Sequence, residues 1–119
     1  MGRLSTHVLD TAHGCPAAGM KVTLQRVAGD GTAQTVRSVT LNADGRTDGG
    51  PLLDAAAMAA GRWRLQFEVA PYFRARGVAL PDPPFVDTVQ LDFGVADVEG
   101  HYHVPLLVSP WSWSTYRGS

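Results

Sequence analysis

Gly61-Arg62-Trp63-Arg64-Leu65-Gln66-Phe67-Glu68-Val69 alternates without a break. Trp63, Leu65, Phe67 and Val69 fall on one face, with Arg62, Arg64, Gln66 and Glu68 on the other. Side chains along a strand point alternately to opposite faces, so this period of two reads as a strand with one face in a core and one in water. The period recurs outward from there. Residues 35–41 form a strand rich in valine and threonine, and Gly29-Asp30-Gly31 makes a tight connection before it. Met20, Val22 and Leu24 alternate with Lys21, Thr23 and Gln25 after the turn signal His13-Gly14-Cys15-Pro16. In 4–10, Leu4, Thr6 and Val8 oppose Ser5, His7 and Leu9, and residues 86–93 and 101–108 supply two further strands. Short strands at this spacing predict an all-β protein, an antiparallel sandwich or barrel.

Two segments depart from the pattern. Pro71 near a helix start and Gly77 where a helix would stop predict one short helix over about Pro71–Arg76. Residues 51–60 are alanine-rich but lack a polar stripe, which predicts a loop with at most one helical turn. Leu80-Pro81-Asp82-Pro83-Pro84 is a stiff extended connector, because proline forces its predecessor out of helical conformation.

Composition narrows the class. The 119 residues include 13 glycines and 8 prolines, above the usual combined share of about 12% and in keeping with many turns. With 45% hydrophobic residues and a net charge of −1, the chain can bury a core and does not read as disordered. Cys15 is the only cysteine, which excludes a disulfide scaffold within the chain. Ten Lys+Arg against eleven Asp+Glu leave no basic footprint for nucleic acid. Residues 1–11 lack a signal-peptide core, and no apolar stretch approaches the roughly 18 residues that would span a membrane. The expectation is one cytoplasmic domain over 1–119, with neither nucleic acid nor membrane as partner.

The four histidines are His7, His13, His101 and His103. His101 and His103 project from one face of their strand alongside Pro105, leaving Tyr102, Val104 and Leu106 to the core, and His7 lies on the face of its strand away from Leu4 and Val8. They are either exposed strand histidines without a task or a reactive set. The H-x-H pair plus a third histidine would suit zinc, but no acidic residue accompanies it at a ligand-like spacing. His13, beside Gly14, reads as a solvated turn residue. In Asn42-Ala43-Asp44-Gly45-Arg46, Asp44-Gly45 tolerates a left-handed backbone and Arg46 emerges at the start of the next segment. Cys15 has no motif partner, and Ser109, Ser112, Ser114 and Ser119 lack a nucleophile elbow. The apolar run that closes in an aromatic, a cation and a glycine suggests a docked terminus, or else a final edge strand.

Three stretches together resemble a known family. Leu4-Ser5-Thr6-His7-Val8-Leu9-Asp10-Thr11 with Gly14 and Pro16-Ala17, the Asp44-Gly45-Arg46 turn, and the run from His101 to Tyr116-Arg117-Gly118-Ser119 are similar to the signatures of the transthyretin-related 5-hydroxyisourate hydrolase family. The motifs stand at both ends and in the middle, so the resemblance spans essentially the whole chain. The closing tetrapeptide is highly specific, since transthyretin proper lacks it. The resemblance implies a transthyretin-like sandwich of two four-stranded sheets with one short helix. It also implies a homotetramer, a dimer of dimers, with active sites at the subunit interface in a central channel. Carried over by motif, the catalytic set is His7, Arg46, His103 and Ser119. His7 and Arg46 would also bind substrate with Tyr116, Arg117 and Gly118, while His101 supports His103 from the rim. The implied reaction is hydrolytic ring opening of 5-hydroxyisourate, with no metal or organic cofactor. The same fold leaves a non-catalytic carrier of small ligands as the alternative. A carrier needs apolar channel walls, whereas histidines and an arginine suit hydrolysis: a neutral imidazole accepts a proton from water, and a guanidinium both lowers that imidazole's pKa and faces a developing oxyanion.

Overall fold

The strands that the alternation marks out assemble into two layers. In the computed structural model, which describes residues 1–118, the order is β1 (Arg3–Asp10), β2 (Cys15–Pro16), β3 (Lys21–Val27), β4 (Ala33–Thr40), β5 (Gly61–Glu68), α1 (Val69–Ala75), β6 (Thr88–Val95), β7 (His101–Val108) and β8 (Trp113–Thr115). One sheet runs β2-β1-β7-β8 and the other β4-β3-β5-β6. Between them lie Leu4 and Val8 from β1, Val22 and Leu24 from β3, Leu65 and Phe67 from β5, and Leu106 and Val108 from β7, all buried. Each of these four strands thus gives its apolar alternate positions to one shared core.

One pairing departs from the antiparallel expectation. β1 and β7 run parallel, with Ser5 opposite His103 and His7 opposite Pro105. Strands so far apart in sequence have no hairpin to fix their direction, and their apolar faces are buried equally well either way. Pro105 shares the histidine face, as expected, but is buried, on a strand flanked by neighbours on both sides. β2 has only two residues, too few to show a period, and 15–16 read as turn. β4 and β6 each begin two residues from their predicted starts, and the 81–87 connector extends past Val86.

The helix starts earlier than Pro71, because Val69 and Ala70 already fold back onto Asp87 through backbone hydrogen bonds of 3.1 Å. It buries Val69, Ala70, Tyr72 and Phe73 against the sandwich. Residues 51–60 are a loop with one turn, in which the amides of Ala57 and Met58 both donate to the Asp54 carbonyl. That loop is nevertheless anchored: Leu52 and Leu53 are buried, and Leu53 bridges to Leu4 at the start of β1.

His13 is not a free turn residue. Its amide and its ring Nδ1 lie 3.0 and 2.7 Å from the two carboxylate oxygens of Asp10, and the ring stacks on Phe73. Asp10 is fully buried, and Tyr72 Oη donates to it at 2.8 Å. Burial alone would raise the Asp10 pKa, but the hydrogen bonds from Tyr72 and His13 outweigh it and hold the carboxyl below its ordinary value. The cluster ties the end of β1 to α1. Among the described residues, no helix is long and apolar enough to cross a membrane.

Candidate active site

The site grows from the outer face of the first and last long strands. Because β1 and β7 are parallel neighbours, Ser5 and His7 on β1 share a face with His103 on β7. Both histidines are half-buried, as the alternation requires when their neighbours Thr6, Val8, Tyr102 and Val104 turn to the core. Thr6 carries a hydroxyl into that core and satisfies it by donating to the Val104 carbonyl at 2.7 Å, which also stitches the two strands together.

Arg46 reaches the same face from a turn. Asn42 organises that turn: its side-chain oxygen accepts from the amides of Asp44 and Arg46 at 2.9 and 3.1 Å. Gly45 then docks on β1, its carbonyl accepting from the Val8 amide at 3.0 Å. Gly45 has φ of 70°, and a Cβ there would stand 2.6 Å from the Val8 carbonyl oxygen. Only glycine permits both the left-handed backbone and that approach, and Arg46 is thereby delivered beside His7.

Burial first, and then the Arg46 guanidinium, hold the His7 imidazole below its usual pKa, while the Asp44 carbonyl and charge pull the other way. For His103 the order is again burial, then Arg46, followed by His7 and Arg3. Both rings are therefore neutral at pH 7, the form that accepts a proton. The guanidinium assists, as its chemistry predicts, but desolvation is the larger cause.

Two adjoining hollows lie on this face. One, of about 220 Å³, is lined by Arg3, Ser5, Arg46, His101, Tyr102 and His103. The other, of about 330 Å³, shares Arg3, Ser5 and Arg46 and adds Thr6, Thr47, Gly50 and Pro51. A larger hollow of about 650 Å³ lies between residues 18–21 and α1, remote from both histidines. Among the described residues, neither Arg3 nor Arg46 lies within ion-pair distance of a carboxylate, so the cleft is cationic and suits an anionic or carbonyl-rich ligand. Likewise among the described residues, no three His, Cys, Asp or Glu side chains gather as metal ligands.

The closing segment is docked. After β8 pairs with the end of β7, the Gly118 amide donates to the His103 carbonyl at 2.7 Å, and the His103 amide faces the Gly118 carbonyl at 3.5 Å. A Cβ on Gly118 would stand 3.0 Å from Cδ2 of the His103 ring, so glycine lets the terminus lie against that imidazole. The Arg117 guanidinium stacks on Tyr102 at 4.1 Å and donates to the His101 carbonyl at 3.3 Å. Tyr116 is exposed and lines a separate hollow with Leu91 and Phe93, away from the histidines within one chain. Ser119 lies outside the described residues.

His101 lines the cleft, but its Nε2 is 2.8 Å from the Met1 carbonyl oxygen rather than against His103. The partner of His103 is Ser5, with Oγ 2.8 Å from Nδ1. Ser5 and Arg3 are the site residues that sequence reasoning passed over. The only signal for them was their place on the His7 face of β1.

The HIUase/Transthyretin family matches the chain over residues 4–118. The 5-hydroxyisourate hydrolase of Ralstonia nicotianae is 56% identical over 119 residues, which cover 100% of this chain and 100% of that relative. The solved structure of Klebsiella pneumoniae 5-hydroxyisourate hydrolase matches with a TM-score of 0.79 at 38% identity, over 98% of this chain and 99% of that one. Sea bream transthyretin in complex with thyroxine matches with a TM-score of 0.84 at 26% identity, over 98% and 94% of the two chains.

Proposed function

The chain belongs to the HIUase/Transthyretin family, and from that premise we propose that it hydrolyses 5-hydroxyisourate. Its two four-stranded sheets and single short helix are the transthyretin-like sandwich. The reaction opens the six-membered ring at its amide carbonyl and yields 2-oxo-4-hydroxy-4-carboxy-5-ureidoimidazoline. Water oxygen bonds to the carbonyl carbon, the carbon–nitrogen bond breaks, and the leaving nitrogen takes up a proton.

The observation that carries this reading is the convergence of two half-buried histidines and Arg46 on one strand face. A neutral imidazole of His7 or His103 takes the proton of the attacking water and returns one to the nitrogen. Arg46 offers a planar fork of donors to the carbonyl oxygen as it becomes anionic. Tyr116, Arg117, Gly118 and Ser119 complete the substrate pocket, and His101 forms its rim. The active form is a homotetramer, a dimer of dimers, with each site at a subunit interface. The enzyme works in the cytoplasm, in urate breakdown, as one domain over 1–119 and without metal or organic cofactor. A carrier of small apolar ligands, the function suggested by the thyroxine-bound neighbour, fits this cationic lining poorly.

The test is to generate 5-hydroxyisourate in situ with urate oxidase and follow its ultraviolet decay. The protein should accelerate that decay in proportion to its concentration. A rate no faster than the spontaneous reaction would refute the proposal.

A further inference from the structure

Two contacts fix the His103 ring, and they act on different edges. Ser5 Oγ stands 2.8 Å from Nδ1, directly across the β1–β7 pairing. Gly118 lies against the Cβ–Cγ–Cδ2 edge, close enough that a Cβ there would meet Cδ2 at 3.0 Å. With those edges occupied, the Cε1–Nε2 edge is what remains for the cleft that His103 lines with Arg3 and Arg46. A neutral imidazole carries its proton on one nitrogen only, and the partner of the other nitrogen decides which. Two guanidiniums at the cleft favour a lone pair over an N–H on the nitrogen that faces them.

We propose that Ser5 is a positioning residue: its Oγ accepts a hydrogen bond from His103 Nδ1–H and so presents Nε2 to the cleft with its lone pair free. This rests on the hydrolase reading above for its consequence, though not for its geometry. Although Ser5 lines the cleft, in this proposal it contacts no reacting atom. It sets the tautomer and the angle of a ring that does, the role outer partners play for reactive histidines. Threonine keeps the hydroxyl at the same place and suits a strand, whereas alanine removes it and leaves the backbone pairing intact.

The experiment joins nitrogen-resolved imidazole NMR to kinetics, on the full chain. In the unaltered protein above pH 7, the His103 ring, assigned by its absence in His103→Ala, should carry its proton on Nδ1 and show an unprotonated Nε2. Ser5→Ala should shift the ring toward a mixture of tautomers and lower kcat about tenfold, as loss of an outer partner does, with KM changed far less. Ser5→Thr should restore both the signature and kcat. A proton found on Nε2 in the unaltered protein overturns the proposal. So does a Ser5→Ala ring with unchanged tautomer and unchanged kcat, or a Ser5→Thr protein as impaired as Ser5→Ala. If the unaltered protein fails to accelerate 5-hydroxyisourate decay, the hydrolase reading falls, while the NMR signature still decides the role of Ser5.

Discussion

His7 lies on β1 and His13 in the turn just after it, yet their neighbours carry opposite charge. His13 holds a fully buried carboxylate, shared with the Tyr72 hydroxyl, and stacks on Phe73. His103 instead lines a hollow with Arg3 and Arg46, and His7 lies beside Arg46, whose charge outweighs that of Asp44 there. The first arrangement gives both carboxylate oxygens of Asp10 and the Tyr72 hydroxyl partners within the cluster. Among the described residues, the second leaves Arg3 and Arg46 without a carboxylate partner, a cost to folding that a substrate can offset. Residue type alone does not separate these two settings; the charge of the surroundings does.

The contrast breaks most readily at the reactive pole. His103→Ala should lower kcat/KM for ring opening by about a hundredfold or more, the usual contribution of a general base. His13→Ala should leave turnover per folded molecule unchanged, as read by the same ultraviolet assay. If the two variants lose activity equally, the division between the clusters is wrong.

At the structural pole the expected effect is smaller and falls on stability. Asp10→Ala strands the Tyr72 hydroxyl in the interior, costing about 1–3 kcal/mol for that unsatisfied group, while the exposed His13 donors turn to water. Urea unfolding should show the midpoint falling while activity at low urea persists. A midpoint equal to that of the unaltered chain would show that the carboxylate holds nothing together.

Acidity sharpens the comparison further. His7 and His103 have native pKa values below their unfolded ones, so the stability they contribute is complete above about pH 6.5. It is lost as pH falls from there, since the unfolded chain binds protons first. Asp10 is also depressed, and its contribution persists until pH falls through about 4, near the ordinary carboxylate value. Stability should therefore decline in two stages on acidification. The acid limb of kcat/KM should lie below pH 6.5 and rise part of the way back in Arg46→Gln, because burial, the larger cause, is unchanged. An acid limb that does not move in Arg46→Gln would remove the guanidinium from control of the base.

Much of the sandwich was legible because Trp63, Leu65 and Phe67, like Leu4, Thr6 and Val8, repeat every second residue, and burial enforces that repeat. Pairing direction was not legible: the alternation within 4–10 and 101–108 is the same whether the two strands run parallel or antiparallel. The Asp44-Gly45 turn placed Arg46 but by itself reads as presenting a surface arginine, and only the family resemblance marked it as a site residue. Ser5 was not visible, since a serine on a strand carries no mark of the ring it faces across the sheet. His13 had a local sign in Asp10, three residues earlier, but Tyr72 and Phe73 come from a helix that no pattern near the turn announces.

The parallel pairing of β1 with β7 also governs when activity can arise. Ser5 and His103 stand 98 residues apart in the chain, so their meeting closes nearly the longest loop the sequence allows. Contacts of such range are made slowly and reward the chain only after that closure. On the ribosome the amino-terminal strands emerge first, and they must wait, without a competent site, for the histidine strand and the segment that pins it. On the function proposed above, a partly made copy would therefore be inactive.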